Sequence, residues 1–144
     1  MVRVRFLLVF LFVVFSFFGC QEQSANEVGK INWDRDMCDR CVMVISDRKN
    51  TVQLRDLSTN KLYKFDDIGC MAIWFNEENI EFKDKAKIWI TDVESGEWID
   101  ARAAFYTSQN ITPMGFGFSA HKTKNSIKNN SEILSYDEVL KRIK

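Results

Sequence analysis

Histidine and proline occur once each in this 144-residue chain, at His121 and Pro113, and the formal charges cancel at 20 basic against 20 acidic residues. Cancelled charge excludes the basic footprint of a nucleic-acid-binding domain. A lone histidine offers little nitrogen to a metal centre, and His121, at the end of an expected strand, reads as a surface residue rather than a ligand. No acid–base pair and no nucleophile beside a base stands out, so the chain does not read as an enzyme. The run Phe6–Phe18 is apolar but for Ser16, and it is too short for a membrane-spanning helix.

That run has the layout of a secretory signal, with Arg3 and Arg5 before it and Gly19 after it. Phe17-Phe18-Gly19-Cys20 resembles the lipobox of bacterial lipoproteins, with phenylalanine at Phe17 where leucine is usual. The resemblance implies cleavage before Cys20, acylation of its sulfur, and a lipid anchor holding the protein on the outer face of a membrane in the cell envelope. Residues 1–19 are thus expected to be signal, 20–30 a polar flexible tether, and 31–144 one domain with its own core. Without Arg3 and Arg5, 18 basic residues face 20 acidic ones, a net charge of −2. Three cysteines then remain, Cys38, Cys41 and Cys70. An odd number outside the cytosol cannot make a closed disulfide framework, so at least one thiol is free, mispaired or metal-bound.

The domain reads as a mixture of hairpins and helices. Val42–Ile45, Thr51–Leu57 and Leu62–Phe65 have strand composition and alternation. Asp66 or Asp67 caps an expected helix from Ile68 to about Asn76. The pattern then recurs: a strand over Ala86–Val93, a turn at Glu94-Ser95-Gly96, a strand at Trp98-Ile99, and a short helix from Ala101 to about Tyr106 capped by Asp100. Superposing Asp56 on Asp92 aligns the halves, suggesting an α+β fold of two ββα units. Pro113 ends the second helical stretch, Gly115–Ala120 reads as a closing strand, and Ser135–Glu138 is a capping box opening a last amphipathic helix.

The chemistry concentrates in sulfur. Met37-Cys38-Asp39-Arg40-Cys41-Val42-Met43 puts two thiols and two thioethers in seven residues. A C-x-x-C pair grips one metal ion or closes as a disulfide. Thioethers serve zinc poorly and Cu(I) well, so Cys38, Cys41 and Met43 point to Cu(I). Met114, between a proline and a glycine, is a further candidate ligand. Cys70 is either a third thiolate or a small buried residue, whereas Met71, one helical turn before Phe75, reads as core. Three rival readings carry less: a thiol–disulfide oxidoreductase using the C-x-x-C pair, a zinc module using Cys38, Cys41, Cys70 and His121, and an enzyme like organomercurial lyase.

Four segments occur in the order seen in NosL: Met37–Met43, Phe65–Met71, Thr91-Asp92 with Trp98–Ala101, and Thr112–Gly115. The chain thus resembles the NosL family, copper-binding lipoproteins accessory to nitrous oxide reductase assembly, from about Asp36 to about Ala120. Val42 stands where the family pattern C-x-x-C-Gly-Met has glycine. The resemblance implies a duplicated ββα arrangement similar to organomercurial lyase, a Cu(I) cargo, and delivery to nitrous oxide reductase or its assembly machinery.

Overall fold

The computed structural model describes residues 24–143; the expected signal segment and Cys20 lie outside them. Strands β1 (Val52–Arg55), β2 (Leu62–Phe65), β3 (Lys87–Thr91) and β4 (Trp98–Asp100) form an antiparallel sheet in the order β2-β1-β3-β4. Helix α1 (Ile68–Glu77) follows β2. Strands β5 (Phe105–Thr107) and β6 (Ser119–His121) make a separate ribbon, and helix α2 (Tyr136–Arg142) closes the described chain. The fold is α+β, as the sequence implies.

Alternation along the strands decides which face is apolar. Val52 and Leu54 of β1 oppose Ile90 and Ile88 of β3 on one side and Phe65 and Tyr63 of β2 on the other. Trp74 of α1 lies on this face, with ring centroids 4.7 Å from Tyr63 and 5.3 Å from Phe65. Burying each such side chain contributes roughly 1.5–3 kcal/mol, so this face is the main stabilising layer. The opposite face carries Gln53 and Arg55, both buried. Gln53 accepts from the Gly29 amide at 2.7 Å and donates to the Gly29 carbonyl at 2.8 Å, while Arg55 donates to the Glu27 carbonyl at 3.2 Å. Glu27 and Gly29, ahead of Ile31, are thus hydrogen-bonded to the sheet.

The internal repeat is visible in the register. Gln53 pairs with Trp89, its own counterpart at the 36-residue offset, so a pseudo-twofold axis passes between β1 and β3. The hairpins repeat too: Gln53 opposes Lys64 in one, and Trp89 opposes Asp100 in the other. The turns are similar rather than superposable, with the bonded serine two residues after Asp56 and three after Asp92. Asp56 accepts from the amide and hydroxyl of Ser58, and Asp92 does the same for Ser95.

The halves differ after the second hairpin. The helix expected over Ala101–Tyr106 is a turn followed by β5. Asp100 does accept from the Arg102 amide at 2.9 Å, but the turn stops there. Tyr106 is fully buried, its hydroxyl donates to the Ala101 carbonyl at 2.6 Å, and its backbone exchanges two hydrogen bonds with Leu134. Pairing of the β-prone Phe-Tyr-Thr run overrides the local helical start. Other expected strands are also shorter: Thr51–Leu57 is cut to Val52–Arg55 and Ala86–Val93 to Lys87–Thr91. Of Val42–Ile45 only a bridge between Met37 and Val44 forms, and the closing strand is confined to Ser119–His121, because Gly115 and Gly117 take left-handed conformations.

Candidate metal centre

The loop from Met37 to Val44 is a tight excursion closed by its own backbone. The Cys38 amide donates to the Met43 carbonyl at 2.9 Å, and the Val42 amide to the Cys38 carbonyl at 3.0 Å. Val42 takes φ of 60°, the left-handed region. The loop is clamped at two further points. Asp39 and Lys64 of β2 exchange hydrogen bonds: the Asp39 amide donates to the Lys64 carbonyl at 2.8 Å, and the Lys64 amide to the Asp39 carboxylate at 2.6 Å. The Arg40 guanidinium forks onto Glu77 at the end of α1, with both bonds 2.8 Å. One clamp ties the loop to β2 and the other to the C-terminal end of α1.

The cysteines meet beside the first turn of α1. Sγ of Cys38, Cys41 and Cys70 and a carboxylate oxygen of Asp66 all lie within 4.8 Å of one another, and the group could hold one metal ion. Cys38, Cys70 and Asp66 are buried, and Cys41 is half-buried. The three thiols are unbridged. Cys70 is placed by α1: Asp67 is the N-cap, its side chain accepting from the Gly69 amide and its carbonyl from the Cys70 amide. The Cys41 thiol donates toward both oxygens of Asp66, at 3.6 and 3.8 Å.

The thiols share their protons unequally. A hydrogen bond from Cys70, backed by backbone amides that include Cys41, brings Cys38 down to about 6. Cys70 is pushed well above the ordinary thiol range, because its proton is held by Cys38 and burial disfavours a second charge. Burial raises Cys41 to about 11. The arrangement favours a thiolate at Cys38, hydrogen-bonded by the Cys70 thiol while the Cys41 thiol faces Asp66, a nucleus for a thiophilic cation.

Met43 is about half exposed, at 52%, and lines an open groove of about 330 Å³ together with Val44, Asp66, Ile111, Thr112 and Pro113. The groove gives Asp66 an outlet to solvent and brings the C-x-x-C loop beside the Thr-Pro-Met-Gly segment. Met114 is half-buried on the loop after Pro113, and its amide donates to Asp67 at 3.4 Å. Met71 is fully buried in the core, as its helical spacing implies.

His121 stands apart. It is buried, not on the surface, because β6 carries it inward: its Nε2 pairs with Thr107 Oγ1 at 3.1 Å, and its Nδ1 lies 3.4 Å from Ser126 Oγ. Burial lowers its pKa, so the ring stays neutral as a structural hydrogen-bonding group. The fourth member of the cysteine cluster is Asp66, which sequence reasoning treated only as a capping candidate. The signal was the Asp-Asp doublet: a helix needs one N-cap, and the second carboxylate is free for other work.

Fold and site together define a small α+β domain carrying a thiol-rich cluster fit for a metal ion. No protein-family model and no curated protein sequence matches the chain. In fold it is similar to the crystal structure of the copper chaperone NosL from Shewanella denitrificans, with a TM-score of 0.63 at 15% sequence identity. The alignment covers 78% of this chain and 95% of that one. Among the described residues, no helix is long and apolar enough to cross a membrane.

Proposed function

We propose that the protein is an envelope Cu(I) carrier, tethered through a lipidated Cys20, that hands copper to an exported copper enzyme. The resemblance names nitrous oxide reductase, or its assembly machinery, as the recipient. The observation that carries this reading is the meeting of three thiols within 4.8 Å, two of them buried, beside an open groove. Cu(I) accepts two to four soft ligands without a demanding geometry. Cys38, Cys41 and Cys70 supply thiolates, and Met43 and Met114 are the thioethers proposed to complete or exchange within that shell. A carrier must also release its cargo. A half-exposed Met43 at the groove is suited to pass the ion outward, because a neutral thioether holds it without a proton to lose or regain.

The oxidoreductase reading fits the local backbone less well. A reactive C-x-x-C opens a helix whose N-terminus stabilises the thiolate, whereas Cys41 runs into the left-handed Val42 and then a single bridge.

X-ray absorption at the copper edge tests the proposal, on the full chain purified in detergent and loaded anaerobically with Cu(I). A first shell made of sulfur, losing amplitude in Cys38→Ser, is the expected outcome. A shell dominated by nitrogen or oxygen, or no retained copper, would overturn the proposal.

A further inference from the structure

Asp66 and Asp67 are adjacent, yet their carboxylates serve different partners. Asp66 belongs to the thiol cluster. Asp67, fully buried, accepts three hydrogen bonds: from the Gly69 amide at 3.0 Å through Oδ1, and from Thr112 Oγ1 at 2.6 Å and the Met114 amide at 3.4 Å through Oδ2. Capping α1 requires only the first of these, and a serine or asparagine would provide it without burying a charge. The other two reach across 45 residues or more to one loop.

That loop is built around Thr112. The Gly117 amide donates to Thr112 Oγ1 at 3.1 Å, the Gly115 amide to the Thr112 carbonyl at 3.0 Å, and the Asn110 amide to the Gly117 carbonyl at 3.0 Å. Outside this ring of bonds the loop faces water: Ile111 is wholly exposed, and Pro113 is exposed. Its grip on the body comes from Asp67, from the half-buried Met114 packed against the core, and from the Phe116 ring, which fills the space a side chain at Gly69 would need. The Asp67 and Phe116 attachments land on the first turn of α1, the turn that carries Cys70.

We propose that Asp67 and Thr112 form a latch that positions Met114 for the metal held by Cys38, Cys41 and Cys70. The inference rests on the copper reading above and deepens it: Asp67 is not one of the four clustered donors, and its role is to fix where the Met114 thioether is presented. Covalent continuity makes this effective, since Asp66, Asp67 and Cys70 lie within five residues and move as one element with the loop they hold.

The test uses the full chain in detergent and Cu(I) competition against a chromophoric chelator. Thr112→Val keeps the shape of the side chain and removes the hydroxyl; Thr112→Ser keeps the hydroxyl. Thr112→Val and Met114→Leu are each expected to weaken Cu(I) binding about tenfold, while the double variant is no weaker than either single one, because coupled residues are non-additive. Thr112→Ser is expected to bind as the parent does. Asp67→Asn should follow Thr112→Val, with copper-edge spectra of both showing one sulfur fewer. Parent-like affinity in Thr112→Val, or effects that simply add, would overturn the latch and leave the copper reading intact. Parent-like affinity in Met114→Leu would do the same. A parent protein that binds no Cu(I) would remove the copper reading and the latch together.

Discussion

Val42 occupies a left-handed backbone position that a β-branched side chain resists, at a cost of roughly 1–2 kcal/mol. The turn that returns Cys41 toward Cys38 takes positive φ here, a conformation that glycine, expected at this position from the resemblance, adopts without strain. Val42→Gly is therefore expected to raise the melting temperature by several degrees and to leave Cu(I) affinity within a factor of about three. Thermal melts with and without Cu(I) check both, and a lower melting temperature would contradict the strain argument. A second residue-scale prediction follows from the shared protons. Near pH 7 Cys38 has released its proton, while Cys41 and Cys70 have kept theirs. Binding through all three sulfurs must then expel about two protons, so affinity should climb as pH rises from 7 toward 9 and fall steeply below 6. Calorimetry in buffers of different ionisation enthalpy counts the protons; a count of zero would exclude a three-thiolate site. At this scale Cys38 and Cys41 were legible as a C-x-x-C pair, whereas Cys70 read equally as a third thiolate or a small buried residue until the fold brought the three thiols together. Asp66 was hidden, because nothing in a capping doublet says which carboxylate turns inward.

Helix α1 places Cys70, receives Phe116 and ends at the Glu77 clamp on the C-x-x-C loop. Gly69 makes this possible: a Cβ there would fall 2.1 Å from ring atoms of Phe116. Alanine would gain about 1 kcal/mol of helix propensity in an unobstructed helix, yet here the clash must displace the ring or the first turn. Gly69→Ala should lower the melting temperature and weaken Cu(I) binding together, as read by thermal melts and chelator competition; a gain in stability would show that Phe116 moves freely. The elements that sequence reasoning found are those with local signals. β1 and β2 alternate, α1 and α2 carry caps, and the β3–β4 hairpin repeats the first. The elements it misplaced depend on distant partners. β5 replaces an expected helix because Tyr106 pairs with Leu134, and no local pattern announces a partner that far along the chain.

The four-stranded sheet is two hairpins related by a pseudo-twofold axis, and the candidate site lies where the repeat breaks down. The thiol cluster draws on the segment before the first hairpin and the helix after it, while the second half contributes a latched loop in place of a matching helix. Symmetry supplies a rigid sheet, and asymmetry supplies the site. The order of segments around this site was readable as a NosL resemblance, and the similar solved structure has the same fold. The proposed anchor sets where the carrier works. Cys20→Ser, expressed beside the parent with a labelled fatty acid, should lose the label and leave the membrane fraction; equal labelling would remove the anchor from the account.

Selection of Cu(I) over Zn(II) at this site is read by a competition titration on the reduced full chain. Cu(I) is partitioned against a chromophoric chelator, first alone and then with excess Zn(II). One Cu(I) per chain is expected, retained in the presence of zinc and weakened more by Cys41→Ser than by Met114→Ala, because a charged thiolate outweighs a neutral thioether as donor. Zinc displacing copper at comparable concentration would contradict the account and assign the three cysteines and Asp66 to a zinc module instead.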